Sequence, residues 1–435
     1  APLTPPPAKP SSSAPQRPAS PPAPPSPTEA TPARKQKGSF ISRLSDALGF
    51  GRSIVKNPPK PKPPATPKPP ATPKPQAAAN SSHAWFKLPV VASGGTLSMD
   101  QFELVAKLGH GMTANVYLAK LTNASPRLNP KDSLIALKVM PKKLVVDCGR
   151  RVGELMVAER MVTTQMQGCP YILRMFGHFQ DKYALYVVME TASCDFFQLM
   201  SNYYGDTIYW RSIKVWAAQV LLALEHVHKK GFLYRDLKPE NMLLRPDGSV
   251  CLADFGLSIA ISNCKDNRAY SICGTVEYMC PEMVMQKGYT YPSELWAFGI
   301  LIYEMISGTT PFEGAENSQA VLRKIKEFRG RLVFPDDVTV EPSARQLILG
   351  LLSLDPATRL GAKDPVGNYT SIKRHPWFSS IDWDAVRDGR VRPSLKVPFK
   401  IQESSRFTVP KGAKFPWEKG NIVSDEYHTK LFENF

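Results

Sequence analysis

Residues 234–241 read Tyr234-Arg235-Asp236-Leu237-Lys238-Pro239-Glu240-Asn241, and Asp254-Phe255-Gly256 follows, with Asp254 eighteen positions after Asp236. Together the two strings hold the parts that a phosphoryl transfer needs. Asp236 is a carboxylate able to orient an attacking hydroxyl and accept its proton, and Lys238 is a cation for the transferred group. Asn241 and Asp254 offer oxygen ligands for Mg²⁺. The residues between them read as a short hairpin: Met242-Leu243-Leu244, a turn at Pro246-Asp247-Gly248-Ser249, then Val250-Cys251-Leu252. Its return strand delivers Asp254 beside Asn241. Either string alone could arise in an exposed loop, whereas the pair at this separation, with partners elsewhere in the chain, is specific.

Upstream, Leu108-Gly109-His110-Gly111-Met112-Thr113-Ala114-Asn115-Val116 lies between two strand-like runs, so its glycines turn a hairpin whose amides can approach phosphates. Ile135-Ala136-Leu137-Lys138 comes next. Lys138 on so apolar a strand needs a partner, because an unpaired buried ammonium is costly. Glu159 on the following helix is the first choice and Glu154 the alternative. These motifs resemble those of the eukaryotic protein kinase family, over roughly residues 102–392 and again in the final aromatics. Tyr234, where the family more often has His, looks like the AGC branch, which contains the cAMP-dependent kinases.

The resemblance implies an α+β, bilobal protein kinase fold, a strand-rich small lobe before a helical large lobe, with ATP and Mg²⁺ as cofactors. Strand-rich sequence runs to about Val188 with a helix near 149–166, and helical stretches follow at Ile213–His228, Pro292–Ile306, Ala320–Glu327 and Ser343–Leu352. By resemblance Gly109, Gly111, Val116, Ala136 and Lys138 hold the nucleotide, Glu159 holds Lys138, and Met189 backs the adenine pocket. Backbone groups from Glu190 to Ala192 face the adenine edge, with Asp195 close by. Asp236 and Lys238 act on the substrate hydroxyl, Thr275 bonds near them, and Asn241 and Asp254 are the metal ligands. Ser271 takes the place of the branch's phosphorylated residue, with Arg235 as the cation to bind it, while Ile259 and Leu155 stand where relatives carry basic side chains. Asp195, Glu240, Glu277 and Glu304 align with acids that surround a basic peptide, implying Arg or Lys upstream of the acceptor. Phe432 and Phe435, three apart, are implied to dock on the small lobe beside the helix bearing Glu159.

The chain has 435 residues, 43% of them hydrophobic, and a formal charge of +17. Of its 42 prolines, 23 fall in residues 1–85, together with 12 Lys/Arg against only Glu29 and Asp46. That stretch reads as a disordered, basic, proline-rich tail, locally polyproline II. Its repeat Lys62-Pro63-Pro64-Ala65-Thr66-Pro67 and the run Pro21-Pro22-Ala23-Pro24 suit SH3 or WW modules, or a plain spacer. Phe40, Ile41, Leu44, Ala47 and Leu48 recur at helical spacing among basic residues, a pattern for weak anionic-membrane or partner contact. The expected organisation is a tail (1–85), a lead-in (86–101), a kinase domain (102–378, small lobe 102–189 and large lobe 190–378) and an AGC-type C-terminal tail (379–435).

Seven cysteines without a CxxC pair suggest neither a disulfide framework nor zinc. With no apolar run of membrane-spanning length and no signal-peptide layout, the expectation is a soluble, intracellular protein, cytoplasmic or nuclear. Protein substrates, not nucleic acid, are the expected partners of a monomeric catalytic chain; whether a regulatory subunit binds stays open.

Departures from the family pattern leave a second reading. Ala114 replaces a third glycine, Cys280 precedes Pro281-Glu282 where Ala is usual, and Glu294 stands where the family has the Asp that anchors the catalytic-loop backbone. The extra methylene could displace that loop, and small misplacements near chemistry cost on the order of 100-fold. The two hypotheses are therefore an active Ser/Thr kinase and a weakly active or inactive kinase-fold scaffold working through its proline-rich tail. Lys138, Glu159, Asp236, Asn241 and Asp254 are all present, which favours the enzyme.

Overall fold

The computed structural model describes residues 97–111, 113–122, 134–336, 338–397, 415–419, 423, 426–433 and 435. Residues 1–96 lie outside them, and with them the tail, its repeat and the 40–48 pattern; so does most of 406–422.

The small lobe is a five-stranded antiparallel sheet in the order β1-β2-β3-β5-β4, built from β1 (Phe102–His110), β2 (Asn115–Leu121), β3 (Leu134–Pro141), β4 (Met175–Gln180) and β5 (Ala184–Met189). Alternation along β3 divides its work between two faces. Ile135, Leu137 and Val139 join the core that includes Phe102, Phe179 and Tyr186. Met140 joins the other core, under the helices α1 (Lys142–Asp147) and α2 (Arg150–Gln165). Lys138 thus leaves the sheet on the face that α2 covers. The register sets Val116 opposite Lys138 and Ala136 opposite Met189, so the residues expected around the nucleotide are neighbours across three strands.

The large lobe opens with β6 (Cys194–Asp195), α3 (Phe196–Tyr203) and α4 (Thr207–Lys229). Next come β7 (Phe232–Leu233) and the hairpin β8 (Met242–Leu244)/β9 (Val250–Leu252), then β10 (Ile259–Ala260), which pairs with β7. The helices α5 (Pro281–Val284), α6 (Pro292–Ser307), α7 (Ser318–Glu327), α8 (Pro342–Leu351), α9 (Thr370–Lys373) and α10 (Trp383–Arg387) follow. A last helix, α11 (Glu426–Glu433), packs on α2.

Local sequence explains the key boundaries. Pro292 starts α6 where its missing N–H costs nothing, and Gly308 (φ 75°) ends it, returning its N–H to Glu304 O at 2.8 Å. Nearly every side chain of α6 is buried, as befits a helix apolar all round, so Glu294 sits on a rigid support. The β8–β9 turn needs Gly248: φ is +84°, and a Cβ would stand 2.0 Å from Leu395 O where the C-terminal segment crosses.

Candidate active site

The catalytic loop, Tyr234 to Asn241, leaves β7 and enters β8. Arg235 has φ 69° and Asp254 φ 58°, left-handed conformations that non-glycine residues hold only when their surroundings over-determine them. Here the surroundings are dense. Tyr234 hydroxyl donates to Ala253 O, and its ring meets Phe255 edge-on at 5.2 Å. Arg235 N donates to Glu294 Oε1 at 2.6 Å, and its guanidinium reaches Leu257 O at 2.6 Å.

These restraints present Asp236, 7% exposed, to its partners. Lys238 Nζ is 2.8 Å from Asp236 Oδ2, and Asn241 Nδ2 donates to the same oxygen at 2.8 Å and to Asp236 O at 2.9 Å. Thr275 Oγ1 closes the group, 3.4 Å from Asp236 Oδ1 and 3.3 Å from Lys238 Nζ. Gly274 beside it has φ +87°, and a Cβ there would stand 2.5 Å from Arg235 O, so only glycine lets the two loops approach this closely. Burial pushes the Asp236 carboxyl above the ordinary aspartate range, with Lys238 pulling it back.

Across the cleft, Lys138 Nζ meets Glu159 Oε1 at 2.5 Å. Burial works against the Lys138 ammonium, but the Glu159 and Asp254 carboxylates hold its pKa above the usual value. The alternative partner, Glu154, instead accepts a hydrogen bond from Tyr427 on α11. Asp254 is exposed to the cleft and accepts from Gly256 N at 3.1 Å. The amide nitrogen of Asn241 is committed to Asp236, so what it has left for a cation is its carbonyl oxygen. Mg²⁺ takes one or two carboxylates and completes its shell with phosphate oxygens and water, and this donor set fits it.

In the glycine-rich hairpin, Gly111 N donates to Ala114 O at 2.7 Å, and Ala114 is buried in the core beneath α2. The third glycine's substitute therefore packs inward. At the inter-lobe connection Glu190 N bonds Arg174 O at 3.0 Å, with Ala192 half-buried beyond it. Asp195 caps α3 through Gln198 N at 2.7 Å, and burial, with Glu240 nearby, raises its pKa. Glu240 is exposed and Glu277 half-buried. Glu304 differs: it is 2% exposed and accepts from Tyr278 hydroxyl, beneath the segment that carries Glu277.

Ser271 is exposed, with its Oγ 2.6 Å from Arg235 Nη1. Tyr289 hydroxyl donates to Ser271 O at 2.7 Å, and an Ala269–Tyr289 bridge ties down the loop. Phe432 and Phe435 lie in the core shared with α2, where Gln180 Nε2 donates to Phe432 O at 2.6 Å and Arg160 lies over the Phe435 ring.

Several residues carried no sequence signal. Arg245 grips Glu190 with Nε and Nη2 at 3.0 and 2.6 Å and Pro170 O with Nη1 at 2.7 Å, locking the inter-lobe connection to the β8–β9 hairpin. Trp417 covers the outer face of the sheet, its indole N–H on Tyr186 hydroxyl at 2.9 Å and its ring stacked on Phe415. A turn residue after a strand and a lone Trp in the C-terminal segment look unremarkable until their distant partners are known.

A family model for the protein kinase domain matches residues 102–378, and the chain belongs to the protein kinase family. Among curated proteins it is 35% identical to ribosomal protein S6 kinase alpha-3 of Homo sapiens over 337 residues, 77% of this chain and 43% of that protein. It is 35% identical to serine/threonine-protein kinase AtPK2/AtPK19 of Arabidopsis thaliana over 305 residues, 69% of this chain and 60% of that one. Serine/threonine-protein kinase SCH9 of Saccharomyces cerevisiae is 34% identical over 317 residues, 70% of this chain and 35% of its own length. The chain thus spans less than two thirds of these relatives. They fit the AGC branch that Tyr234 and the terminal aromatics suggest.

Proposed function

We propose that this chain transfers the γ-phosphoryl group of ATP to Ser or Thr in proteins, favouring acceptors with Arg or Lys upstream. The observation that carries this reading is the buried Asp236, held by Lys238 and Asn241 and facing Thr275 across a cleft from the Lys138–Glu159 pair. Asp236 orients the acceptor hydroxyl and takes its proton; Lys238 steadies the charge that develops; Lys138 binds phosphate oxygens with Glu159 behind it. Bound Mg-ATP supplies the phosphoryl group and the charge neutralisation, with Asn241 and Asp254 as the residues that hold the ion.

Asp195, Glu240 and Glu277 supply the negative surface for a basic peptide. Ser271 is the regulatory phosphosite, and Arg235 its cation; because that hydroxyl is already tethered, phosphorylation strengthens an ordered loop. The chain acts inside the cell as a monomer, in cytoplasm or nucleus. Its basic tail (1–85) serves location and partners, through SH3- or WW-type modules or anionic membranes.

A positional peptide library tests the substrate reading: the purified chain should select Arg or Lys upstream of Ser or Thr, and Glu240→Gln should weaken that selection. Selection indifferent to upstream charge contradicts it.

A further inference from the structure

Glu294 stands where the family has aspartate, yet it still reaches the catalytic loop: its Oε1 accepts Arg235 N at 2.6 Å. A glutamate has one more rotatable bond than an aspartate and needs a second fixed point to keep its carboxylate there. That point is His228 on α4, whose Nε2 lies 2.5 Å from Glu294 Oε2. The other ring nitrogen, Nδ1, lies 2.5 Å from the hydroxyl of Tyr369, just before α9. Glu294, His228 and Tyr369 are 4%, 1% and 2% exposed. Tyr369 is fixed in turn: its N–H donates to Glu225 Oε1 at 2.8 Å, the oxygen that also pairs with Lys373 at 2.7 Å.

One arrangement pairs every proton shared by the three side chains. With Tyr369 O–H donating to Nδ1, Nε2 carries the ring proton and donates it to Glu294 Oε2, while Glu294 Oε1 accepts from Arg235 N. Burial, reinforced by the Glu294 and Glu225 carboxylates, keeps the Tyr369 hydroxyl protonated, so it has a proton to give to Nδ1.

We propose that Tyr369 is a positioning residue for phosphoryl transfer: by fixing the tautomer of His228 it holds the Glu294 carboxylate on the Arg235 amide and so sets the backbone that carries Asp236. The inference rests on the function proposed above. It makes Tyr369 the device by which a glutamate serves at an aspartate's place.

Tyr369→Phe keeps the ring and removes the donor. In the full chain, amide hydrogen exchange across residues 233–237 should speed up about tenfold, the scale that one net hydrogen bond sets. Turnover should fall about tenfold with the KM for ATP unchanged, since Lys138 and the adenine pocket are untouched. In a double-mutant cycle, adding Tyr369→Phe to Glu294→Asp should cost little more than Glu294→Asp alone. Imidazole ¹⁵N spectra of the unmutated protein should show His228 protonated on Nε2 alone, a reading that needs no variant to fold. Exchange at 233–237 unaffected by Tyr369→Phe, additive effects in the cycle, or a proton on His228 Nδ1 would each overturn the proposal. Exchange and spectra require no catalysis, so a protein that transfers no phosphate fails the functional reading while the positioning role is still judged.

Discussion

In the proposed reaction Asp236 must be ionised to accept the substrate's proton, and burial in this site makes ionisation harder than in water. Activity should therefore fall as pH drops through a carboxyl pKa lying above the ordinary aspartate value. Lys238, 2.8 Å away, pulls that pKa down, so Lys238→Met should shift the acidic limb to higher pH as well as lower the maximum. A profile of kcat/KM against pH for both proteins checks this; limbs that coincide would show that Asp236 is not the titrating group. At this scale the sequence was most legible where chemistry is compressed into short strings: Asp236, Lys238, Asn241 and Asp254 are read from one loop and one hairpin. Tyr369 and Arg245 were invisible because their partners lie 141 and 55 positions away, and nothing in a tyrosine before a helix or an arginine in a turn announces a buried bond.

Among the elements, helices bounded by proline and glycine could be placed closely: α6 runs Pro292–Ser307 where the sequence suggests Pro292–Ile306. The start of α4 could not. It begins at Thr207, ahead of the apolar run from Ile213, because Tyr209 is buried and its hydroxyl bonds Met305 O at 2.9 Å, an anchor supplied by α6. The C-terminal aromatics show the opposite case, since two exposed aromatics near the end of the sequence imply a docking site. Phe432 shares a core with Val145 and Val157, so α11 braces the helix that carries Glu159. Phe432→Ala should loosen that brace and lower turnover by an amount worth about 0.5–2 kcal/mol, about twofold to roughly thirty-fold, while leaving Lys138 and Asp254 in place. Steady-state kinetics at saturating ATP would measure it, and unaltered turnover would mean that the docked helix does not steady the Lys138–Glu159 pair.

For the molecule as a whole, the order of strands before helices was enough to imply two lobes. Residues 1–85 carry ten of the seventeen net positive charges and no catalytic motif. A chain starting at Asn80 should keep its peptide kinetics and lose binding to anionic vesicles, and phosphorylation at the Ser-Pro or Thr-Pro steps (Thr4, Ser20, Ser26, Thr31, Thr66, Thr72) should weaken that binding in the full chain. A large fall in kcat on truncation would refute this division of labour, and unchanged vesicle binding would remove the membrane role. The central claim is that the cleft is a working phosphotransferase despite Glu294. The most direct test is transfer of labelled phosphate from Mg-ATP to a Ser peptide with upstream arginines, by the full chain and by Asp254→Ala at equal folded concentration. The account predicts ready transfer by the first and loss of most of the rate in the second, because several kcal/mol of transition-state stabilisation go with the metal ligand. Equal rates from the two proteins, or no transfer by either, would contradict it.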